Sequence, residues 1–128
     1  MPTFPVVTGD VLTSTIFNGL PAFTVQTAKT VDYTAASGDE YQQLIPMNKA
    51  TAVAFKIPTD ATYAFPTGTV ITVLNIGAGA VTISATTSAT TTILSAGTVA
   101  AQPTLAQYKS AACIKTAANA WYVVGGIA

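Results

Sequence analysis

Residues 69–85 read TVITVLNIGAGAVTISA, and the fold class turns on how this stretch is read. Two β-branched apolar runs flank the short connection Ile76-Gly77-Ala78-Gly79. Val, Ile and Thr fit a pleated surface, and glycine supplies the positive φ angles of a tight turn, so the stretch predicts a β-hairpin. Val81 and Ile83 alternate with Thr82 and Ser84, the pattern of a half-buried strand. Val70, Ile71, Val73 and Leu74 are more continuous, which predicts a strand covered on both faces.

Working outward, most of the chain repeats this grammar. Ala22–Thr24 and Lys29–Thr34 are candidate first strands, Ser37-Gly38-Asp39-Glu40 is a turn, and residues 41–47 form a strand ending near Pro46. In Ala52–Ile57, Val53, Phe55 and Ile57 share one face. Pro58-Thr59-Asp60 breaks that strand, and the loop 61–68 is expected to fold Tyr63 and Phe65 back over the core. Thr92–Leu94 is a short strand turned by Ser95-Ala96-Gly97. Pro103–Tyr108 has the proline start of a short helical turn. Ala111–Thr116 and Trp121–Val124 close the chain as a hairpin around Ala118-Asn119. Seven to nine short strands predict an all-β domain over residues 23–128, a β-sandwich or jelly-roll-like antiparallel fold.

Residues 1–22 differ. Pro2, Pro5, Gly9, Gly19 and Pro21 punctuate apolar pieces, and proline does not belong in a helix interior or a central strand. The segment is nevertheless too apolar for an ordinary disordered tail. Both facts fit an N-terminal docking arm whose contacts would be made by Phe4, Val6, Val7, Val11, Ile16, Phe17 and Leu20. Asp10 is placed to cap a short helical turn over Val11–Phe17, which Thr13 and Thr15 weaken.

Composition narrows the function classes. Only 8% of the 128 residues are charged, five lysines against five acids, with net charge zero. An average domain carries roughly 25%. A free monomer with so little charge tends to associate, so the surface is either a neutral Thr-rich one solvated through hydroxyls or, the preferred reading, one covered by partners. Half of the residues are hydrophobic, yet no run approaches the roughly 20 apolar residues of a membrane span. The N-terminus MPTFPVVTGD lacks the basic and apolar regions of a secretory signal, so the expectation is a complete, soluble, unprocessed chain. Cys113 stands alone and reads as a small buried hydrophobe from a reducing compartment.

Site chemistry is sparse. The chain has no histidine and no arginine, which removes imidazole general bases, Ser-His and Cys-His pairs and imidazole metal sites. Asp39 and Glu40 are adjacent turn acids, better suited to capping than to acid–base work. Ser37, Asp39 and Glu40 fall short of a calcium loop. Ile76-Gly77-Ala78-Gly79 resembles half of a phosphate loop but no helix follows it. Five dispersed lysines make no basic stripe for nucleic acid. The expectation is therefore no enzyme, no cofactor, no metal, no nucleic acid and no membrane. A glycan is the alternative partner, with Trp121 and Tyr122 as the platform, although a strand Trp more often belongs to the core.

From Lys29 onward the order of motifs carries a resemblance. The pieces are DYTAASGDEYQQLIPMNKATAVAFKIP, FPTGTVITVLNIGAGAVTISA, TTILSAG and YKSAACIKTAANAWYVVGGIA, in a span of about three quarters of the chain. Together they resemble the small Thr/Ala/Gly-rich β domains of tailed-bacteriophage virion proteins, including tail-fibre and head-decoration components. GDVLTSTIFNGLP, residues 9–21, is similar to the segment that precedes such domains in fibre proteins. The resemblance implies a structural virion protein, a homotrimer whose arm attaches it to the major capsid protein or another virion protein. At this length, a capsid decoration (cement) protein or small head fibre on the capsid surface is implied before a long fibre. A receptor- or glycan-binding tip domain of a tail fibre or spike, or a small tail component, is the alternative.

Overall fold

A computed structural model of the chain describes residues 25–40, 44–99 and 102–126. The described residues form ten strands and no helix. These are β1 (Tyr33–Thr34), β2 (Leu44–Met47), β3 (Val53–Ile57), β4 (Val70–Asn75), β5 (Val81–Ala85), β6 (Thr92–Ser95), β7 (Thr98–Val99), β8 (Thr104–Leu105), β9 (Ser110–Ala117) and β10 (Ala120–Gly125). They make two mixed sheets, β1-β3-β5-β8 and β2-β4-β9-β10-β6-β7. Inward side chains of both sheets meet in one core, a sandwich-like arrangement.

The core follows from strict alternation. On β3, Val53, Phe55 and Ile57 are buried while Ala54 and Lys56 are part exposed. On β10, Trp121 and Val123 face in while Tyr122 and Val124 face out. Phe65 and Tyr63 do fold back from their loop. Phe65 packs edge-on against Tyr63 and Trp121, with ring centroids 4.6 and 5.7 Å apart.

The stretch 69–85 is not a hairpin. β4 lies in the six-stranded sheet and β5 in the four-stranded one, so the connection 76–80 is a corner between sheets. β4 instead pairs parallel with β2, Leu44 opposite Thr72, and β5 pairs parallel with β3, Val53 opposite Val81. β1 pairs parallel with β3, and Val25 and Lys29 bridge in parallel to Leu44 and Met47. Residues 25–34, 44–57 and 70–85 are thus three successive rungs of a flattened β-coil. Its strands alternate between the two sheets, and each rung lies beside the one before it.

The glycines of the corner serve close approach rather than turn geometry. Neither Gly77 nor Gly79 has a left-handed φ. A Cβ on Gly77 would collide with the backbone N and O of Lys49, and one on Gly79 with the carbonyl of Thr51. The ladder continues round the corner, Ile76 N–H donating to Met47 O at 2.9 Å and Gly79 N–H to Lys49 O at 2.9 Å. Asn75, fully buried, braces it. Its Nδ2 donates to the carbonyls of Gly79 and Leu105 at 2.8 and 2.9 Å, and its Oδ1 accepts from Gly77 N–H at 3.0 Å.

Three further expectations are corrected. The sheets are not antiparallel throughout, because a coil returns each strand beside its predecessor in the same direction. β6 and β10 are parallel as well. β4 is buried on one face only, with Val70, Thr72 and Leu74 part exposed on the other. Residues 103–108 form β8 and a turn rather than a helical turn, because Thr104 and Leu105 pair antiparallel with β5. The closing hairpin is present, with Tyr122 opposite Ile114 and Asn119 in the left-handed region at φ 50°.

Candidate docking face

Alternation leaves each sheet with an outward face, and the two faces differ in chemistry. The four-stranded sheet turns out Thr34, Ala54, Lys56, Thr82, Ser84 and Thr104, a hydroxyl-rich surface with one cation. The six-stranded sheet turns out Leu44 from β2, where Pro46 is buried, then Val70, Thr72 and Leu74 from β4, and Ser110, Ala112, Ile114 and Thr116 from β9. Tyr122 and Val124 from β10 and Thr92 and Leu94 from β6 lie on the same face. No charged residue occupies an outward position on these five strands.

The register makes this second surface continuous. Pro46 stands beside Leu74, Val70 beside Ile114, Ile114 beside Tyr122, and Tyr122 beside Leu94. Opposed side chains on neighbouring strands interact, so Val70, Ile114, Tyr122 and Leu94 form one apolar row over β4, β9, β10 and β6, while the Pro46–Leu74 row runs on to Ser110. Tyr122 and Val124 are 45% and 48% exposed, while Leu44, Val70, Leu74, Leu94 and Ile114 are part buried by their neighbours. At the far side a depression of about 230 Å³ opens between Tyr122, Val124, Leu94 and the tight turn Ala96-Gly97. Both turn residues have positive φ, 50° and 80°, as a two-residue hairpin between β6 and β7 requires.

The expected site residues fall out as follows. Phe4, Val6, Val7, Val11, Ile16, Phe17 and Leu20 of the arm, with the helical turn over Val11–Phe17 and the strand Ala22–Thr24, lie outside the described residues. Trp121 is 1% exposed and packs in the core, so it offers no ring face to a sugar. Tyr122 points to the opposite side of the same strand, so the two rings do not form one platform.

Asp39 is buried and acts as a turn cap. Its carboxylate accepts from Gln26 Nε2 at 2.7 Å, Tyr33 Oη at 2.8 Å and Ala36 N–H at 2.8 Å. Burial, then the bond to Asp39, pushes the Tyr33 phenol above its ordinary range. Glu40 accepts from Gly38 N–H at 2.6 Å and from the Tyr63 hydroxyl. Among the described residues no group of three His, Cys, Asp or Glu side chains is placed to hold a metal ion. No helix there is long and apolar enough to cross a membrane.

One polar cluster escaped the sequence reading. Lys115 is 3% exposed, its ammonium donating to Asp60 Oδ1 at 2.8 Å and to the carbonyl of Phe65 at 2.6 Å. Asp60 also accepts from Asn119 N–H at 3.2 Å. The cluster pins the loop that carries Phe65 onto β9 and the β9–β10 turn. The signal was present in the phase of the strand, since Ala111, Cys113 and Lys115 share the inward face.

No protein-family model matches the chain, and no match to it is found among curated proteins or solved structures.

Proposed function

We propose that this chain is a structural virion protein of a tailed bacteriophage, a capsid decoration (cement) protein that binds the head shell and stabilises it. The observation that supports an assembly role is the contrast between the two sheet faces, one hydroxyl-rich with a lysine and one uncharged and centred on the apolar row Val70, Ile114, Tyr122 and Leu94. The choice of a virion and of the capsid surface rests on the resemblance of the motif order to such β domains. On this reading residues 23–128 are a sandwich body and residues 1–22 an arm. The arm buries Phe4, Val6, Val7, Val11, Ile16, Phe17 and Leu20 against the shell or sister subunits at roughly 25 cal/mol per Å² of apolar surface. A homotrimer would present three arms, and multivalent attachment raises the effective affinity well above that of one.

The test is decoration of undecorated particles by the full chain and by a chain lacking residues 1–21. The expected result is loss of particle binding by the truncated chain, with its far-ultraviolet β spectrum unchanged. Full occupancy by the truncated chain would overturn the arm mechanism. A glycan-binding tip domain is the second reading, favoured by exposed Tyr122 beside the depression near Ala96-Gly97. Specific hits on a glycan array, lost on Tyr122→Ala, would move the assignment there.

A further inference from the structure

We propose that the turn Ala106–Lys109 is a further docking point of the chain, with Tyr108 as its anchor and Lys49 and Lys109 as its charges, and that its partner is a carboxylate-bearing surface of the shell protein. This deepens the reading of the chain as a shell-binding protein and rests on it. The apolar row of the six-stranded sheet stays open to the other contacts of the assembly.

The first observation is a backbone conformation that its residue does not favour. Tyr108 has φ 65°, in the left-handed region that glycine adopts freely and a bulky side chain does not. Tyr108 N–H donates to Asn75 O at 2.6 Å, Asn75 N–H donates to Lys109 O at 3.0 Å, and Lys109 N–H closes the turn on Ala106 O at 3.1 Å. Asn75 is fully buried and braces the coil corner, so the turn is fixed to a rigid part of the fold. The ring itself is 76% exposed, and among the described residues it makes no hydrogen bond or ring contact. A strained position filled by a side chain that the fold does not use points to a use outside the chain.

The second observation is charge. Lysines that the sequence disperses are gathered by the coil at the end where β2 and β4 leave the six-stranded sheet. Lys29 bridges to Met47 at the end of β2, the backbone of Lys49 lies against Gly77, and Lys109 pairs with Asn75 at the end of β4. These outnumber the carboxylate on that side, Asp32, which already accepts from Ala54 N–H at 2.9 Å. Asp39, Glu40 and Asp60 lie at the opposite end, beyond the last residues of β1 and β3. A strand the length of β4 spans about 20 Å, more than twice the screening length of roughly 8 Å, so those acids do not neutralise the lysines. Among the described residues neither Lys49 nor Lys109 forms an ion pair.

The third is shape. Ala106, Gln107, Tyr108 and Lys109 are all exposed, so the turn stands out from the body. A protruding tyrosine flanked by cations enters a recess on a protein partner, as an aromatic hot spot does, and the lysines select carboxylates around that recess. A sugar would need the recess on this chain instead. Lys29, Lys49 and Lys109 fall short of the stripe that nucleic acid requires.

The test uses the full chain and undecorated particles, with binding measured at low salt and at about 0.3 M salt. Tyr108→Gly removes the ring and suits the left-handed backbone, so it separates function from folding. The expected result is binding about tenfold weaker than the parent's, with a melting temperature at or above the parent's. The double variant Lys49→Gln with Lys109→Gln should bind more weakly at low salt and show a flatter salt dependence. Polyglutamate should compete with the particles for the parent chain. Competition by polygalacturonate and not by polyglutamate would overturn the proposal in favour of an acidic glycan. A melting temperature for Tyr108→Gly well below the parent's would overturn it in favour of a structural role for the ring. Parent-like binding by Tyr108→Gly would overturn this docking point and leave the shell-binding reading standing. Failure of the parent chain itself to bind particles would overturn that reading, and the docking point with it.

Discussion

Gly79 lies against the backbone of Thr51, one rung of the coil resting on the corner of the rung before it. The contact is backbone to backbone, so a side chain at residue 79 has no flexible neighbour to displace. This close approach turns two apparently independent strands, β4 and β5, into one continuous winding on β2 and β3.

Gly79→Ala is therefore expected to cost about 3 kcal/mol, at the upper end of ordinary overpacking. Gly97→Ala, in the exposed β6–β7 turn at φ 80° with open space around it, should cost only about 1 kcal/mol of backbone strain. Urea denaturation of the two variants gives the comparison. Equal midpoints, or Gly97→Ala the more damaging, would contradict the coil account of the corner.

The buried Lys115–Asp60 pair predicts an asymmetry between its two halves. Removing Asp60 leaves an ammonium in the core with only the Phe65 carbonyl and should cost about 3 kcal/mol. Lys115→Met removes the buried charge itself and leaves Asp60, 23% exposed, with access to water. That variant should stay within about 1 kcal/mol of the parent, because apolar replacement of buried ions is often neutral. Thermal melts of Asp60→Ala and Lys115→Met in the opposite order would contradict this placement of the charge.

Burial pushes the Cys113 thiol from its ordinary 9.0 up to about 12. Between those values the unfolded chain releases a proton that the folded chain keeps, so stability falls as pH rises. The contribution is intact below pH 9.0 and is lost progressively toward about 12. Tyr33, raised by burial and by Asp39, adds to the same alkaline loss above its ordinary 10.0. Chemical denaturation from pH 8 to 11 should show this decline, and Cys113→Ala should flatten its lower part. Modification by a thiol reagent should follow global unfolding, since Cys113 has no exposed surface.

Strands were legible where alternation was strict. Val53, Phe55 and Ile57, and Trp121 with Val123, announced their inward face by period alone, and the structure buries each of them. Pairing was not legible. A hairpin turn and a coil corner both ask for small residues between two β-branched runs, and Gly77 and Gly79 satisfy either demand. What separates them is the partner 28 residues earlier in the ladder, Met47 for Asn75 and Val53 for Val81, which periodicity does not encode. The apolar row on the six-stranded sheet was hidden for the same reason. Val70, Ile114, Tyr122 and Leu94 look like ordinary strand residues until register sets them side by side. Lys115 is hidden by its charge, although it shares the inward phase of Ala111 and Cys113 on β9.

Low charge, an apolar sheet face and an apolar N-terminal segment all lead to one central claim, that this chain works by assembling. Light scattering on the purified full-length chain, over a concentration series, tests it most directly. The account predicts the mass of a stable trimer of the 13.0 kDa chain, maintained on dilution. A monodisperse 13.0 kDa monomer that persists at high concentration would contradict it.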